Sequence, residues 1–330
     1  MTSLQTLQHQ GCADFFSALA PNLRIEILDR TPLQDLRHLI SASPALLSVF
    51  QRHRSSLLGH HVQDLLKFYV DKSLLPFAAI TMDLRAIRAE YKDLTVSELE
   101  EKLKPALDSV ISQEYPKQPT ENYPALVVLD MAQNLVPELC RAFDTHLQQA
   151  RSKLLLEDAP WETKFTFIED FLRLDCYCNI FYYRTEFLFS TLNHAKESFT
   201  RPFLYHPRAP VEKYPWTFMC TMLKRYRGRI TRLGDSLRSR QPKPVERPGT
   251  WTQDMSALRV KEFLQRDGIQ EHCYVIHLLM GGYPHFAKLQ SLTAEEFERY
   301  TLEEFYRVVI AEPKGEEWIT HWTGNWDTSR

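Results

Sequence analysis

Prolines constrain the fold of this chain most, because each proline ends a helix or begins one. Pro21, Pro32 and Pro44 stand at the starts of three N-terminal segments, and Thr31 and Ser43 precede two of them as helix caps. Apolar residues within these segments recur every three or four positions, as they do on one face of a helix. The sequence therefore predicts three short consecutive helices at the N-terminus.

The same helical periodicity continues along the rest of the chain. The 330 residues include 19 prolines but only 10 glycines, a balance that argues against β-rich and dinucleotide-binding folds. Further helices are predicted over about 59–75, from Thr95, and over 125–155, 161–192, 211–240, 254–266 and 293–310. Three pairs have the spacing of capping boxes: Thr95 with Glu98, Ser97 with Glu100, and Thr293 with Glu296. The predicted class is all-α, with a short trihelical N-terminal module and a larger irregular helical domain.

A proline-rich stretch over residues 241–250 marks the clearest linker or long loop in the chain. It suggests a division of the chain into five parts. These are an N-terminal tail (1–14), the trihelical module (15–62), a helical domain (63–240), the linker or loop (241–250) and a C-terminal helical segment packed on the helical domain (251–330).

Composition and charge favour an intracellular protein, in the cytoplasm or the nucleus. Residues 1–10 are polar and lack the apolar core of a secretion signal, and no run of eighteen apolar residues predicts a membrane span. The six cysteines are thinly spread and lie mostly among apolar neighbours, as reduced thiols do. A formal charge of -2 provides no overall field that would attract nucleic acid or an anionic membrane.

The segment from Leu19 to about Arg54 carries a family pattern. It begins with Leu19-Ala20-Pro21-Asn22-Leu23-Arg24-Ile25-Glu26-Ile27-Leu28 and continues with Leu33, Asp35-Leu36, Leu39-Ile40 and Ser41-Ala42-Ser43-Pro44. This segment resembles an F-box of the divergent kind found in large fungal families, whose pattern is Leu-Pro-x-Glu-Ile/Leu, Ile-Leu, a spaced leucine and an Ala-Ser-Pro turn. Ala20 stands where the family has proline, and Asn22 replaces the usual glutamate. The resemblance covers about one ninth of the chain.

The F-box resemblance implies a trihelical module that docks onto a Skp-type adaptor of an SCF-type (cullin-RING) ubiquitin ligase. The rest of the chain would then recruit an unknown protein substrate, without catalysis. The adaptor-binding positions implied are Leu19, Pro21, Leu23, Ile27, Leu28, Leu33, Leu36, Leu39 and Ile40.

Residue spacing agrees with partner binding by short helices. Leu23 and Ile27 share one face of a helix, whereas Leu28 is rotated by about 100° from Ile27. These positions cannot all point into one small core, and helices of about ten residues are marginal alone. The module should therefore complete its burial against the following chain or against a partner.

Two alternatives remain open from the residues. In the first, the F-box-like module is only structural within a helical protein-interaction protein. In the second, the chain is an unrecognised α-helical enzyme, although it has no nucleophile elbow, phosphate-binding loop or His-Glu-x-x-His motif. The helix predicted over 161–192 is rich in aromatic residues. Its candidate acids for acid-base catalysis are Glu169, Asp170 and Asp175. No cofactor and no homo-oligomer are predicted.

A basic stretch over residues 224–247 supplies a candidate anion-binding or partner-binding site. Arg225, Arg229 and Arg232 share one helical face there. Acidic residues crowd the C-terminal region, among them Glu298 and Glu304, so intramolecular pairing is the favoured interpretation and nucleic-acid binding is not predicted.

No metal site is predicted. Cys176 and Cys178 would diverge on a helix by about 200°, and His272, Cys273 and His277 lack a second well-spaced pair of ligands. The series Trp318, Trp322 and Trp326 predicts either a sealed core or a peptide-binding edge.

Overall fold

The computed structural model describes residues 14–71, 73–112, 125–150, 154–184, 186–189, 217–240 and 255–311, and this part of the chain is almost entirely helical. The thirteen α-helices in it are α1 (Pro21–Arg30), α2 (Leu33–Ala42), α3 (Pro44–Tyr69), α4 (Leu74–Glu90), α5 (Val96–Ser112), α6 (Ala125–Asp130), α7 (Val136–Ala150), α8 (Trp161–Phe181), α9 (Thr217–Arg240), α10 (Met255–Gln265), α11 (Gly268–Met280), α12 (Gly282–Ser291) and α13 (Ala294–Phe305). The predicted all-α class is confirmed.

Short irregular elements complete this architecture. A 3-10 turn spans Phe15–Ala18, and π-helical turns at Met131–Leu135 and Tyr306–Ala311 follow α6 and α13. Strands β1 (Tyr182–Tyr183) and β2 (Glu186–Phe187) form one antiparallel hairpin. The predicted linker over 241–250 and the Trp318, Trp322 and Trp326 series lie outside the described residues.

The third N-terminal helix is longer than the sequence analysis predicts. Ser43 caps it by accepting a hydrogen bond from the Leu46 N–H at 3.1 Å. No proline follows Pro44 until Pro76, so the helix continues for 26 residues and includes most of the helix expected separately over 59–75. The boundary predicted after residue 62 therefore lies inside α3.

The aromatic helix predicted over 161–192 is shorter than expected. It ends at Phe181, and the hairpin follows at once, with Tyr182 aligned with Phe187. Aromatic residues favour strands as well as buried helices. Arg184 has a φ of 56°, which no right-handed helix includes, so the chain must turn there.

Two of the three predicted capping boxes are present. The pair Ser97 and Glu100 does not form one, because the helix already begins at Val96. The Glu98 side chain accepts the Thr95 N–H at 3.0 Å at the start of α5. At the start of α13, Glu296 accepts the Thr293 N–H at 2.9 Å, and Thr293 accepts the Glu296 N–H at 3.2 Å. Local side-chain chemistry therefore sets these two helix starts, as the sequence indicates.

The main hydrophobic core surrounds α8, which is buried along most of its length. α4 packs along α8, while α9 and α12 contact it as well. The Phe218 ring of α9 lies 5.5 Å from the rings of both Phe167 and Phe171, measured between centroids. The helical domain and the C-terminal segment thus share one core.

A second, smaller core holds the N-terminal module together. This module core consists of Leu28, Leu36, Ile40, Leu46, Val49, Phe50, Leu57, Leu58 and Leu129. Leu129 belongs to α6, so the helical domain contributes to it, and Arg37 of α2 pairs with Asp130 of α6. The module leans on the following chain, as its short helices require.

None of the helices in the described part of the chain is both long enough and apolar enough to cross a membrane.

We expect Leu36→Ala to lower the free energy of unfolding by about 2–5 kcal/mol, because it leaves a cavity at a side chain that is 0% exposed. Leu23→Ala is the matched control: the Leu23 side chain is 49% exposed, and its truncation should cost about 0.5 kcal/mol or less. Denaturant unfolding followed by circular dichroism measures both. Equal effects would contradict the assignment of Leu36 to the module core.

Gly282 and Gly268 provide a second matched pair, since each is the first residue of a helix. Gly282 has a φ of +70°, so Gly282→Ala should destabilise the protein by roughly 1–2 kcal/mol. A Cβ at Gly268 would meet nothing within 4 Å, so Gly268→Ala should be neutral or stabilise by up to about 1 kcal/mol. Thermal unfolding of the two variants tests the difference, and a stable Gly282→Ala protein would refute it.

Candidate functional site

The nine residues implied to bind an adaptor do not share one environment. Leu28, Leu36 and Ile40 are at most 3% exposed and lie in the module core. The expectation of an exposed edge is corrected for these three, because α1 and α2 turn them towards α3. The remaining positions are exposed (Pro21, Leu23), partly buried (Leu19, Ile27, Leu39) or, for the side chain of Leu33, outside the described residues.

An exposed apolar set remains on the surface of the module. It consists of Phe15, Leu23 and Leu47, whose exposed fractions are 74%, 49% and 38%. Leu23 and the partly buried Ile27 lie one above the other on α1, at a spacing of four residues. Phe15 and Leu47 were absent from the predicted set, because only the folded module separates apolar residues that face outwards from those that face its core.

Asp14 attaches the 3-10 turn to the start of α3. Its carboxylate accepts hydrogen bonds from the Ser43 hydroxyl at 2.7 Å and from the Ala45 N–H at 3.0 Å. These bonds hold the pKa of Asp14 below its usual value, since they favour the ionised form. Phe15 and Leu47 are consequently held at the same end of the module.

The three arginines predicted to bind an anion or a partner lie on α9 and differ in their contacts. Arg229 donates to the backbone carbonyls of Leu289 and Leu292, and its guanidinium lies 3.8 Å from the centroid of the Phe297 ring. Arg225 donates to Gln148 at 3.2 Å, while Arg232 is exposed. Arg229 thus satisfies the carbonyls at the end of α12 and not a carboxylate of the acidic region, whereas Arg240 of the same helix pairs with Glu298.

A polar cavity of about 360 Å³ opens where the hairpin meets α4, α8 and the helices from α11 onwards. Its charged and titratable wall is formed by Arg88, Arg184, His277, His285, Glu304 and Arg307. Gly281, at the turn between α11 and α12, also lines it, and a Cβ there would come within 2.8 Å of the His285 side chain. The turn between α11 and α12 therefore forms part of the cavity wall.

A chain of hydrogen bonds crosses this cavity wall. The Tyr182 hydroxyl bonds His277 Nδ1, and His277 Nε2 lies 2.9 Å from Glu304 Oε1. Burial raises the pKa of Tyr182, so the phenol keeps its proton and donates it to Nδ1. The tautomer with hydrogen on Nε2 then satisfies both bonds, and the imidazole is fixed between a phenol and a carboxylate.

Glu304 and His285 have strongly shifted pKa values. Burial alone would raise the pKa of Glu304, but hydrogen bonds from His277 and Arg307 outweigh it and bring the pKa to about 2. Burial lowers the pKa of His285 to about 4, and the neighbouring His277 adds to this effect. At neutral pH the cavity therefore holds an ionised Glu304 and an uncharged His285.

The predicted candidate acids do not line the cavity. Glu169 pairs with Arg173 on the same helix at 2.7 Å, and Asp175 accepts a hydrogen bond from Arg85 Nε at 2.8 Å. Asp170 is 4% exposed on the same buried helix. Asp175 thus connects α8 to α4, whereas the groups that converge on the cavity are the arginines, the histidines and Glu304.

The chemistry available at the cavity is recognition of a negative group together with proton relay. Within the described ranges, no three His, Cys, Asp or Glu side chains are placed so that they could hold a metal ion. The residues that line the cavity come from four separate stretches of sequence and share no motif. The sequence analysis therefore considered His277 only for metal binding and Glu304 only as part of an acidic region.

No family model matches the sequence, and no curated protein and no solved structure matches the chain.

The depressed pKa of His285 predicts a loss of stability in mild acid. A group that prefers the uncharged form in the folded protein takes up protons preferentially in the unfolded chain, so stability is complete above about pH 6.5 and falls as the pH drops towards about 4. His277, Tyr300, Glu304 and Lys288 face this imidazole.

His285→Gln should reduce this decline between pH 6.5 and 4 without abolishing it, because burial also lowers the pKa values of His146 and His272. The free energy of unfolding measured by urea titration at several pH values tests the prediction. An unchanged pH dependence in a variant that is fully folded at pH 7.5 would show that His285 is not buried in its neutral form.

Proposed function

We propose that this protein is a substrate-recruiting or scaffold subunit of an SCF-type ubiquitin ligase, and that its N-terminal module binds a Skp-type adaptor. The observation that carries the proposal is the exposed apolar set of Phe15, Leu23 and Leu47 on a trihelical module with F-box-like sequence. Phe15 and Leu47 lie at the same end of the module, and exposed apolar side chains that lie together are typical of interaction sites. A partner's helices would bury them.

The proposal assigns different tasks to the residues of the F-box-like pattern. Leu23 and Leu47, with Phe15 and the partly buried Ile27, would contact the adaptor. Leu28, Leu36 and Ile40 would keep the module in shape from inside, as their burial of at least 97% supports. Short helices that present an apolar face to a partner's helices form a common recognition mode.

The helical domain would present the substrate in this proposal. It follows the module without a flexible connection, because α3 runs from one into the other and Leu129 is packed in the module core. A firm connection suits a scaffold that must hold a substrate at a set distance from the adaptor. The substrate would be a protein, and no group of this chain would take part in the chemistry of ubiquitin transfer.

A structural module in a helical interaction protein is the second candidate. The contribution of Leu129 to the module core and the pairing of Arg37 with Asp130 favour it, since both join the module to its own chain. An α-helical enzyme is the third candidate, favoured by the convergence of titratable groups on the polar cavity.

Coexpression of the full chain with a Skp-type adaptor, followed by size-exclusion chromatography, tests the proposal. We expect a 1:1 complex with the wild-type protein and its loss in the double variant Leu23→Glu, Leu47→Glu. These substitutions place charges on a face that the adaptor would bury, while the exposed positions let the module fold. Leu28 and Leu36 are unsuitable for this purpose, because charges there would destroy the module core.

Ile269→Glu is the matched control, because Ile269 is an exposed apolar residue, 59% accessible, on α11 and far along the chain from the module. It should leave the complex intact. Circular dichroism establishes that all three proteins fold. If the folded wild-type protein elutes without the adaptor, the ligase-subunit proposal is refuted and the structural module is supported.

A further inference from the structure

We propose that the polar cavity is a binding site for a small organic molecule that carries an oxyanion, either a carboxylate or a phosphate group. Arg88 and Arg184 bind this oxyanion. The proposal concerns a different surface from the adaptor-binding module and does not depend on it. It rests on the placement of the two guanidinium groups, on the balance of charge around the cavity and on its size.

Arg88 is a partly buried cation, and no carboxylate of the described residues forms an ion pair with it. Its Nη2 donates to the Tyr182 carbonyl at 2.7 Å, and its guanidinium lies 4.6 Å from the centroid of the Tyr183 ring. Its Nη1 is buried without a protein hydrogen-bond partner. Burial lowers the pKa of Arg88 to about 10, which still leaves the side chain charged at neutral pH. Buried charges are normally paired, so we expect an anion to bind beside this guanidinium group.

Arg184 brings a second cation to the same cavity. Its guanidinium lies 4.9 Å from the centroid of the same Tyr183 ring, and its Nη2 donates to the Lys92 carbonyl at 3.1 Å. The Tyr183 hydroxyl in turn donates to the Leu94 carbonyl at 2.9 Å, which fixes the ring. Two guanidinium groups on one ring repel each other, and an oxyanion that both bind would relieve that repulsion.

The backbone at Arg184 is held in an unfavourable conformation. A φ of 56° places a residue with a long side chain in the left-handed region, where asparagine and glycine are more usual. Arg184 directly follows β1, and a tight hairpin turn requires a positive φ at this point, so the turn imposes the conformation. In this hairpin the result is that Arg184 lines the cavity.

The other charged groups around the cavity leave it positive. Glu304 is engaged by Arg307, whose Nε donates to it at 3.1 Å, and by His277. Arg88 and Arg184 therefore remain without a carboxylate among the described residues. His285, with a pKa of about 4, adds no charge at neutral pH, and its Nε2 lies 3.3 Å from the Tyr300 hydroxyl.

The size and composition of the cavity fit a small organic molecule. Its volume of about 360 Å³ lies at the lower end of the range for small-molecule sites, about 300–1,000 Å³. Tyr182, Met280 and Tyr300 supply apolar surface beside the cations. Arginine binds carboxylate and phosphate groups through paired hydrogen bonds, and both share the oxyanion chemistry proposed here.

Titration of the full-length protein with inorganic phosphate and, separately, with succinate tests the proposal. Isothermal calorimetry gives the affinity, and thermal unfolding gives the stabilisation, with sodium chloride at equal ionic strength as the reference. We expect at least one oxyanion to bind saturably and to raise the melting temperature. Binding of phosphate alone indicates a phosphorylated ligand, and binding of succinate alone indicates a carboxylate.

Arg184→Asn and Arg88→Gln should each weaken binding by at least about tenfold, because each removes a charged donor. Asparagine tolerates the left-handed conformation at position 184, so the Arg184 variant tests the site even if Arg88→Gln does not fold. Arg52→Gln removes an exposed cation of α3 that belongs neither to the cavity nor to the basic stretch of α9, and it should bind like the wild type.

Three outcomes would overturn the proposal. The first is the absence of saturable binding by either oxyanion. The second is wild-type affinity in Arg184→Asn, which would show that the anion binds elsewhere. The third is an equal loss of affinity in Arg52→Gln, which would show a response to overall charge.

Discussion

Pairing of the charged residues on α8 is the constraint on which the rest of the helical domain depends. A helix buried along most of its length cannot leave these charges without partners, because an unpaired buried ion costs several kcal/mol. Asp175 bonds Arg85 of α4, which also bonds Glu138 of α7. Arg173 bonds Glu169 and lies 4.8 Å from the centroid of the Phe77 ring of α4. These contacts hold α4, α7 and α8 in a defined register.

The polar cavity follows from that register. Asn179 donates to the same Asp175 carboxylate at 3.0 Å, two residues before α8 ends at Phe181. The start of α12 approaches α8 at Gly282, where a Cβ would come within 3.4 Å of Asp175 Oδ1. The hairpin and the α11–α12 turn are therefore held against the same end of α8. Tyr182 and His277 meet there because their elements are positioned by this buried helix.

The apolar residues of the F-box-like pattern have two different roles in the N-terminal module, since some form its core and others lie on its surface. Leucines at helical spacing along α1 and α2 are divided between the module core, where Leu28 and Leu36 lie, and the surface, where Leu23 lies. Partner binding can depend only on the second group, while the fold depends on the first. A substitution in the F-box-like pattern is therefore informative about binding only when its burial is known.

Much of the local structure was determined by the sequence itself, because it depends on interactions between near neighbours. Proline positions and capping side chains set where α1, α2, α5 and α13 begin, and helical spacing of apolar residues established the all-α class. The sequence also indicated the basic face of α9. Its prediction of the end of α8 was wrong, since aromatic residues suit a buried helix and a strand alike.

Only the tertiary structure decided which residues meet. The cavity brings Arg88, Arg184, His277 and Glu304 together from elements separated by up to about two hundred residues, and no local spacing encodes that convergence. Periodicity likewise identifies an apolar face but not what covers it, so it could not show that Leu36 faces the module core while Leu47 faces solvent. The physical reason is that burial and charge pairing depend on all the surfaces packed around a residue, whereas helix formation depends mainly on its neighbours along the chain.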